Sequence, residues 1–335
     1  MIELIIEKFG YTKEEINSII EFYSEIRYKK ERLLYKIIEI NTFLLEIGYS
    51  KTEIKKITRE FPNIYIYDTS ILIQKIESIK DLGYTEKEIV KIIKCAPKIL
   101  SYGTDSIKEK ISGLKIIGYK EEEIKKMIKE NPTILGFSKE TLEQKINELE
   151  KIGYKKEQII KMTKKTPTLY NHSVENIIRK NQTLTTLGFT INEITKMATI
   201  FPEIYNLDTN NIKNKIEIIK KFGYTKEETK NILSLNPSIF GLSVTNIEEK
   251  LEYYTLIGLK ETIAKDPKYL IQSVELTYAR YEYFKEKDII LNDKSNYRLF
   301  MGTKPFEKAY GISKESLLSL YNYNKNNYKN YNNHY

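Results

Sequence analysis

A glycine followed by an aromatic residue recurs at Gly48, Gly83, Gly118, Gly153, Gly188 and Gly223, each 35 residues after the last, and Gly258 follows at the same interval. A fixed period of this size leaves few folds open, because one such repeat cannot bury its apolar face alone and must stack on its neighbours. The stretch from Gly83 to Ile117, GYTEKEIVKIIKCAPKILSYGTDSIKEKISGLKII, represents the repeat. A length of 335 residues would otherwise suggest two or three domains. The period replaces that expectation with one elongated body and a tail.

Within the repeat the punctuation is regular. Thr85 with Glu88 three residues later is a capping box, and it returns as Ser50 with Glu53, Thr190 with Glu193 and Thr225 with Glu228. Two repeats carry Lys120 and Lys155 there and lack the cap. The aromatic before the cap, Tyr84 here, is placed to pack on Ile89 as a hydrophobic staple, which accounts for Tyr49, Tyr119, Tyr154, Phe189 and Tyr224 without any base-stacking role. Ile89, Ile92 and Ile93 share one helical face, and Pro97 ends that helix. Matching prolines are Pro62, Pro132, Pro167, Pro202 and Pro237, each followed by an apolar pair such as Ile99 and Leu100. A second helix then starts near Ser138, Ser173, Asp208 or Ser243 in the corresponding repeats, buries Ile107, Ile111 and Leu114, and leaves through the left-handed Gly118.

The expected architecture is therefore all-α, an α-solenoid of about eight 35-residue helix-turn-helix repeats. Residues 1–47, where Gly10, Tyr11, Thr12 and Glu15 open a worn copy, read as an N-terminal capping repeat. Six full repeats occupy 48–257. From 258 to 320 the pattern predicts a shortened repeat, since Pro267 follows Gly258 by 9 residues instead of 14, then a last short helix capped by Ser313. Residues 321–335 contain only Asn, Tyr, Lys and His and read as a disordered tail.

Composition narrows the chemistry. One cysteine, Cys95, and two histidines, His172 and His334, rule out an internal disulfide and supply too little for a multi-cysteine or zinc site. There is no phosphate-binding glycine loop, dinucleotide fingerprint, His-Glu-x-x-His or nucleophile elbow, so no catalytic residue, metal or cofactor is expected, and no small-molecule substrate. No apolar run approaches the roughly 18 residues of a membrane span. The first residues, MIELIIEKFGYTKEE, carry acids that a transit peptide avoids, which points to the cytoplasm. The net charge of +9 fits a polyanion partner without requiring one.

Two basic columns stand out. In the second helix Lys75, Lys110, Lys145, Lys180, Lys215 and Lys250, with Arg280 in the short repeat, lie at the edge of the apolar stripe. They read either as a ladder of cations for phosphates or as partners for helix-end carbonyls and nearby carboxylates. In the first helix Lys56, Lys91, Lys126, Lys161 and Lys196, with Arg59, Lys94, Lys129 and Lys164 three residues on, lie opposite the apolar face and read as a solvated exterior. Charge peaks in the repeat from Gly153 to Leu187, where Lys155, Lys156, Lys161, Lys164, Lys165, Arg179 and Lys180 face only Glu157 and Glu175. That repeat also places Asn181 in a column of Ile and Leu. A polar residue there must be paired or exposed, which marks this repeat as a candidate binding centre or as one drifted copy.

The opening Leu82 to Tyr84, Pro97 with Ile99 and Leu100, the Lys110 to Leu114 stretch, and the shortened segment from Gly258 to Glu286 together resemble the mitochondrial transcription termination factor family, mTERF, over roughly Gly48 to Tyr321. The resemblance implies a superhelical stack of helical triplets whose basic concave side binds nucleic acid, most often double-stranded DNA and sometimes RNA, in transcription, replication or ribosome assembly. It also implies a mitochondrial or plastid matrix as an alternative location. A monomeric protein acting in transcription termination or regulation is the first expectation. A protein-interaction scaffold and an RNA or ribosome-assembly factor are the rivals.

Overall fold

The computed structural model describes residues 1–324. Among these are nineteen α-helices and eight 3-10 helices, with no strand, so the chain is an all-α helical-repeat solenoid protein. The repeat opened by Gly83 shows how the sequence produces the unit. The Thr85 hydroxyl accepts from the Glu88 N–H at 3.4 Å while the Glu88 carboxylate accepts from the Thr85 N–H at 3.0 Å. Two of the free donors at the start of Glu86–Cys95 are thereby satisfied. Pro97 then starts a 3-10 turn, Pro97–Ser101, that buries Ile99 and Leu100, and Thr104–Ile117 completes the unit. Gly118 takes φ 125°, a conformation that side chains with a Cβ rarely adopt, and lets the Tyr119 N–H reach back to the Leu114 carbonyl at 3.2 Å.

Lys120 and Lys155 do not leave their helices uncapped. Their backbone N–H groups donate to Glu123 and Gln158 at 2.8 and 2.9 Å, so the half of the box that needs no hydroxyl is kept. The aromatics after the glycines are all buried, between 2% and 6% exposed, and several cross to the next repeat. Tyr49 donates to the Val90 carbonyl, Tyr84 to that of Lys125 and Tyr224 to that of Lys260, at 3.0, 3.3 and 3.2 Å. They are stacking contacts between repeats and leave no ring face for a base.

The chain divides into two compact bodies, Met1–Val174 and a second beginning at Glu175. In the first, Ile2–Phe9, Lys13–Glu25 and Lys30–Glu46 precede the repeats. First helices pack on first helices, Lys51–Glu60 on Glu86–Cys95 and that on Glu121–Glu130, and second helices pack on second helices in a parallel layer. The same two layers recur in the second body through Ile191–Ile200, Lys226–Leu235 and Lys260–Lys265 on one side and Thr209–Lys221 with Val244–Leu256 on the other. The shortened repeat keeps a first helix of 6 residues.

After Val274–Glu286 the period is lost but order is not. Besides the expected Lys314–Leu320, capped by Ser313, there is a helix Thr303–Tyr310 that no periodicity announced. It is held by ring contacts of Phe306 and Tyr310 with Phe284 at 5.6 and 5.0 Å. The stretch expected to be disordered from 321 onward begins ordered: Tyr323 donates to Glu249 at 2.8 Å and sets its ring edge-on to Tyr278 at 5.5 Å. Residues 325–335 of that expected tail lie outside the described residues.

The capping glutamates also tie repeat to repeat. Glu53 meets Lys94 at 2.5 Å, Glu88 meets Lys129 at 3.0 Å and Glu123 meets Lys164 at 2.9 Å. Lys94, then the Ser50 N–H, holds the Glu53 carboxyl at about 2, against an ordinary value of 4.5. The Thr85 N–H, then Lys129, does the same for Glu88, also at about 2. Because the folded-state pKa lies below the unfolded one, the stabilisation is present above about pH 4.5 and is lost as pH falls toward about 2. A Glu53→Gln/Glu88→Gln variant is expected to lose less stability than wild type between pH 5 and 2 in acid titrations followed by circular dichroism. Parallel curves would contradict the linkage.

Candidate nucleic-acid interface

The second-helix cations are built into the stack. Lys75 donates to the Tyr102 carbonyl at 2.9 Å, Lys110 to Phe137 at 3.3 Å, Lys145 to His172 at 2.9 Å, and Lys180 to the Leu207 carbonyl. Each acceptor ends the 3-10 turn of the following repeat, where a helical carbonyl has no backbone partner. Lys75, Lys110 and Lys145 also lie over the rings of Tyr67, Tyr102 and Phe137 at 5.4–5.5 Å. Lys215 and Lys250 reach two residues deeper, to Phe240 at 2.6 Å and Leu270 at 2.8 Å, and are only 3% and 4% exposed. Arg280 donates to the carbonyls of Leu299 and Met301 at 2.9 and 2.7 Å. Burial lowers the pKa of Lys75, Lys180, Lys215 and Lys250. Of the two sequence readings, the geometry is that of carbonyl partners; a phosphate contact would require each cation to leave its acceptor.

The basic residues of the repeat from Gly153 to Leu187 are shared between the two bodies. The division at Val174 puts Lys161, Lys164 and Lys165 in the first body and Arg179 and Asn181 in the second. Lys161 and Lys165 are exposed on Lys156–Lys165, and Lys164 meets Glu123 at 2.9 Å. Arg179 is exposed and donates to Asn176. Asn181 is 5% exposed and accepts from the Tyr205 hydroxyl at 2.8 Å, so its polarity serves a buried pair. The same device occurs at Asn41, four repeats earlier in the same column, which accepts from Tyr65 at 3.1 Å. Asn181 is therefore not a lone drifted copy. The signal that pairs them is an Asn followed 24 residues later by a Tyr.

The first-helix column is the open one. Lys56, Lys91, Lys126, Lys161 and Lys196 are all exposed, at one place in five successive first helices. Lys56 and Lys126 reach only Glu60 and Glu130 of their own helices, at 3.8 and 3.7 Å. Of the residues three further on, Lys94, Lys129 and Lys164 are by contrast held by the capping glutamates of the preceding repeat. Among the described residues no group of His, Cys, Asp or Glu side chains could hold a metal ion, and no helix is long and apolar enough to cross a membrane.

Compared with known proteins, the chain matches the family model described as mTERF over residues 1–79, 71–219 and 199–303. No curated protein matches it.

Proposed function

The chain belongs to the mTERF family, and from that premise we propose that this helical-repeat protein binds double-stranded DNA in preference to RNA and acts without catalysis, as a monomer, in transcription termination or regulation. The observation that carries the reading is the family match, which runs through nearly every repeat and makes nucleic-acid binding in gene expression the coarse function. The positive net charge of +9 supports it, since a polyanion partner draws on such an excess. Under this reading the protein acts by occupancy: lysines and arginines from successive repeats neutralise phosphates, and the bound stack obstructs or positions a polymerase. The exposed Lys161, Lys165 and Arg179 of the most basic repeat are candidate contacts.

The test is a titration of the full chain against duplex DNA, duplex RNA and single-stranded RNA of one sequence across salt concentrations. The expected result is tightest binding to duplex DNA, with affinity falling linearly in log–log form as counterions are released. Equal or tighter binding of RNA would replace the DNA assignment. Affinity that ignores salt would remove phosphate contact as the basis of binding.

A further inference from the structure

We propose that the phosphate-tracking face of the first body is the exposed first-helix row Lys56, Lys91, Lys126 and Lys161, and that the second-helix row is internal framework. This rests on the nucleic-acid reading above and deepens it. The four lysines occupy one position in Lys51–Glu60, Glu86–Cys95, Glu121–Glu130 and Lys156–Lys165, and the first three of these helices pack in succession. Packed helices lie about 8–10 Å apart, so the row sets one cation at each such step and spans roughly 30 Å.

Availability separates this row from the second-helix column and from Lys94, Lys129 and Lys164. Lys91 and Lys161 have Cys95 and Lys165 four residues on, where Lys56 and Lys126 have glutamates, and they make no ion pair with any described residue. The glutamate contacts of Lys56 and Lys126 are within one helix and solvent-exposed, a kind of pair that holds a side chain weakly. Lys94, Lys129 and Lys164 are committed to the capping glutamates of the preceding repeat. The second-helix cations cannot leave without stripping a carbonyl of its donor.

The row also has an end. It continues to Lys196 and then meets Asn231, while the column three residues on passes from Lys164 to Thr199 and Ser234. The one beyond that passes from Lys165 to the exposed Ile200 and Leu235. Of the row's five lysines four lie in the first body and Lys196 in the second. A row of cations repeated once per helix suits a polymer with evenly spaced charge, and duplex DNA offers a phosphate every ~3.4 Å along each strand.

The experiment compares wild type with a Lys56→Gln/Lys91→Gln/Lys126→Gln/Lys161→Gln variant, full length, on a fluorescent 20-base-pair duplex between 50 and 200 mM salt. Four lost phosphate contacts at about 0.9 each reduce the log–log slope by about 3.6. Over that range the wild type should therefore lose about a hundredfold more affinity than the variant, with an unchanged thermal unfolding curve because all four side chains are exposed. A variant that binds with the wild-type slope overturns the row while leaving nucleic-acid binding intact. No binding by wild type to any nucleic acid at 50 mM overturns both. Displacement of the duplex by polyglutamate at equal charge concentration would assign the row to an acidic protein partner and overturn the proposal.

Discussion

Replacing Arg280 by Met is expected to destabilise the C-terminal part of the protein by about 3–5 kcal/mol, the largest effect of any single substitution proposed for this chain. Arg280 is 2% exposed and its guanidinium donates to two backbone carbonyls, Leu299 at 2.9 Å and Met301 at 2.7 Å. It also lies 4.3 Å over the Phe306 ring. Burial draws its pKa down to about 10, still well above neutrality, so the group is charged in the folded protein. Hydrogen bonds from a charged donor contribute about 1.5–3 kcal/mol each, and the methionine recovers part of the loss by ending the desolvation of a cation. The segment at risk is 288–302, which follows the last repeat. Besides Arg280 it is held by Asn296, which donates to Thr262 at 3.1 Å, and by Phe300, whose ring stacks on Tyr269 at 4.0 Å. In thermal unfolding the variant should melt lower by about 10 °C or more, and protease should cut between 288 and 302 before it cuts elsewhere. Arg280→Lys, which keeps the charge but reaches one carbonyl, should fall between. A methionine variant within 0.5 kcal/mol of wild type would mean that the cation does not fasten this segment.

How much of this was legible in the sequence depends on whether the partner of a residue is itself written in side chains. The capping boxes, the proline-led turns and the glycine exits are local devices, and Thr85, Glu88, Pro97 and Gly118 take their expected places. The inter-repeat pairs were less visible, because Glu88 and Lys129 lie 41 residues apart and no single repeat contains both. The second-helix cations were legible as a column but not as to their partner. Their acceptors sit on residues as different as Tyr102, Phe137, His172 and Leu207, because the acceptor is the backbone carbonyl that every residue carries. A lysine retained beside such varied side chains is a signature of a backbone partner. The first-helix row was assigned to the solvated exterior for a correct reason: it opposes the apolar face. That placement is also what leaves its charges available to a ligand. Thr303–Tyr310 escaped notice because ring contacts with Phe284 hold it, and those follow no period.

Lys215→Met is the second substitution with a large expected effect, about 1–3 kcal/mol, and its pH dependence distinguishes a buried cation from a surface one. Lys215 is 3% exposed and donates to the Phe240 carbonyl at 2.6 Å, so methionine fills much of the same volume but leaves that carbonyl without this donor. The charged form is disfavoured by burial, which lowers the folded-state pKa below the ordinary 10.5. Between the lowered value and 10.5 the unfolded chain binds more protons than the folded one, so the contribution of Lys215 to stability rises with pH through that window. The neutral amine still donates to Phe240 while no longer carrying a desolvated charge. The deficit of the methionine variant should therefore widen as pH is raised from 7 toward 10, measured as the difference between two denaturant titrations at each pH. Taking the difference cancels the buried tyrosines, such as Tyr49 and Tyr224, whose raised pKa values shift stability in the opposite sense above pH 10 in both proteins. Lys91→Met, on the exposed row, should stay within about 0.5 kcal/mol of wild type, because its side chain lies in solvent. If Lys215→Met cost no more than Lys91→Met, the second-helix column would have to be accessible in solution, and its assignment to the framework would fall.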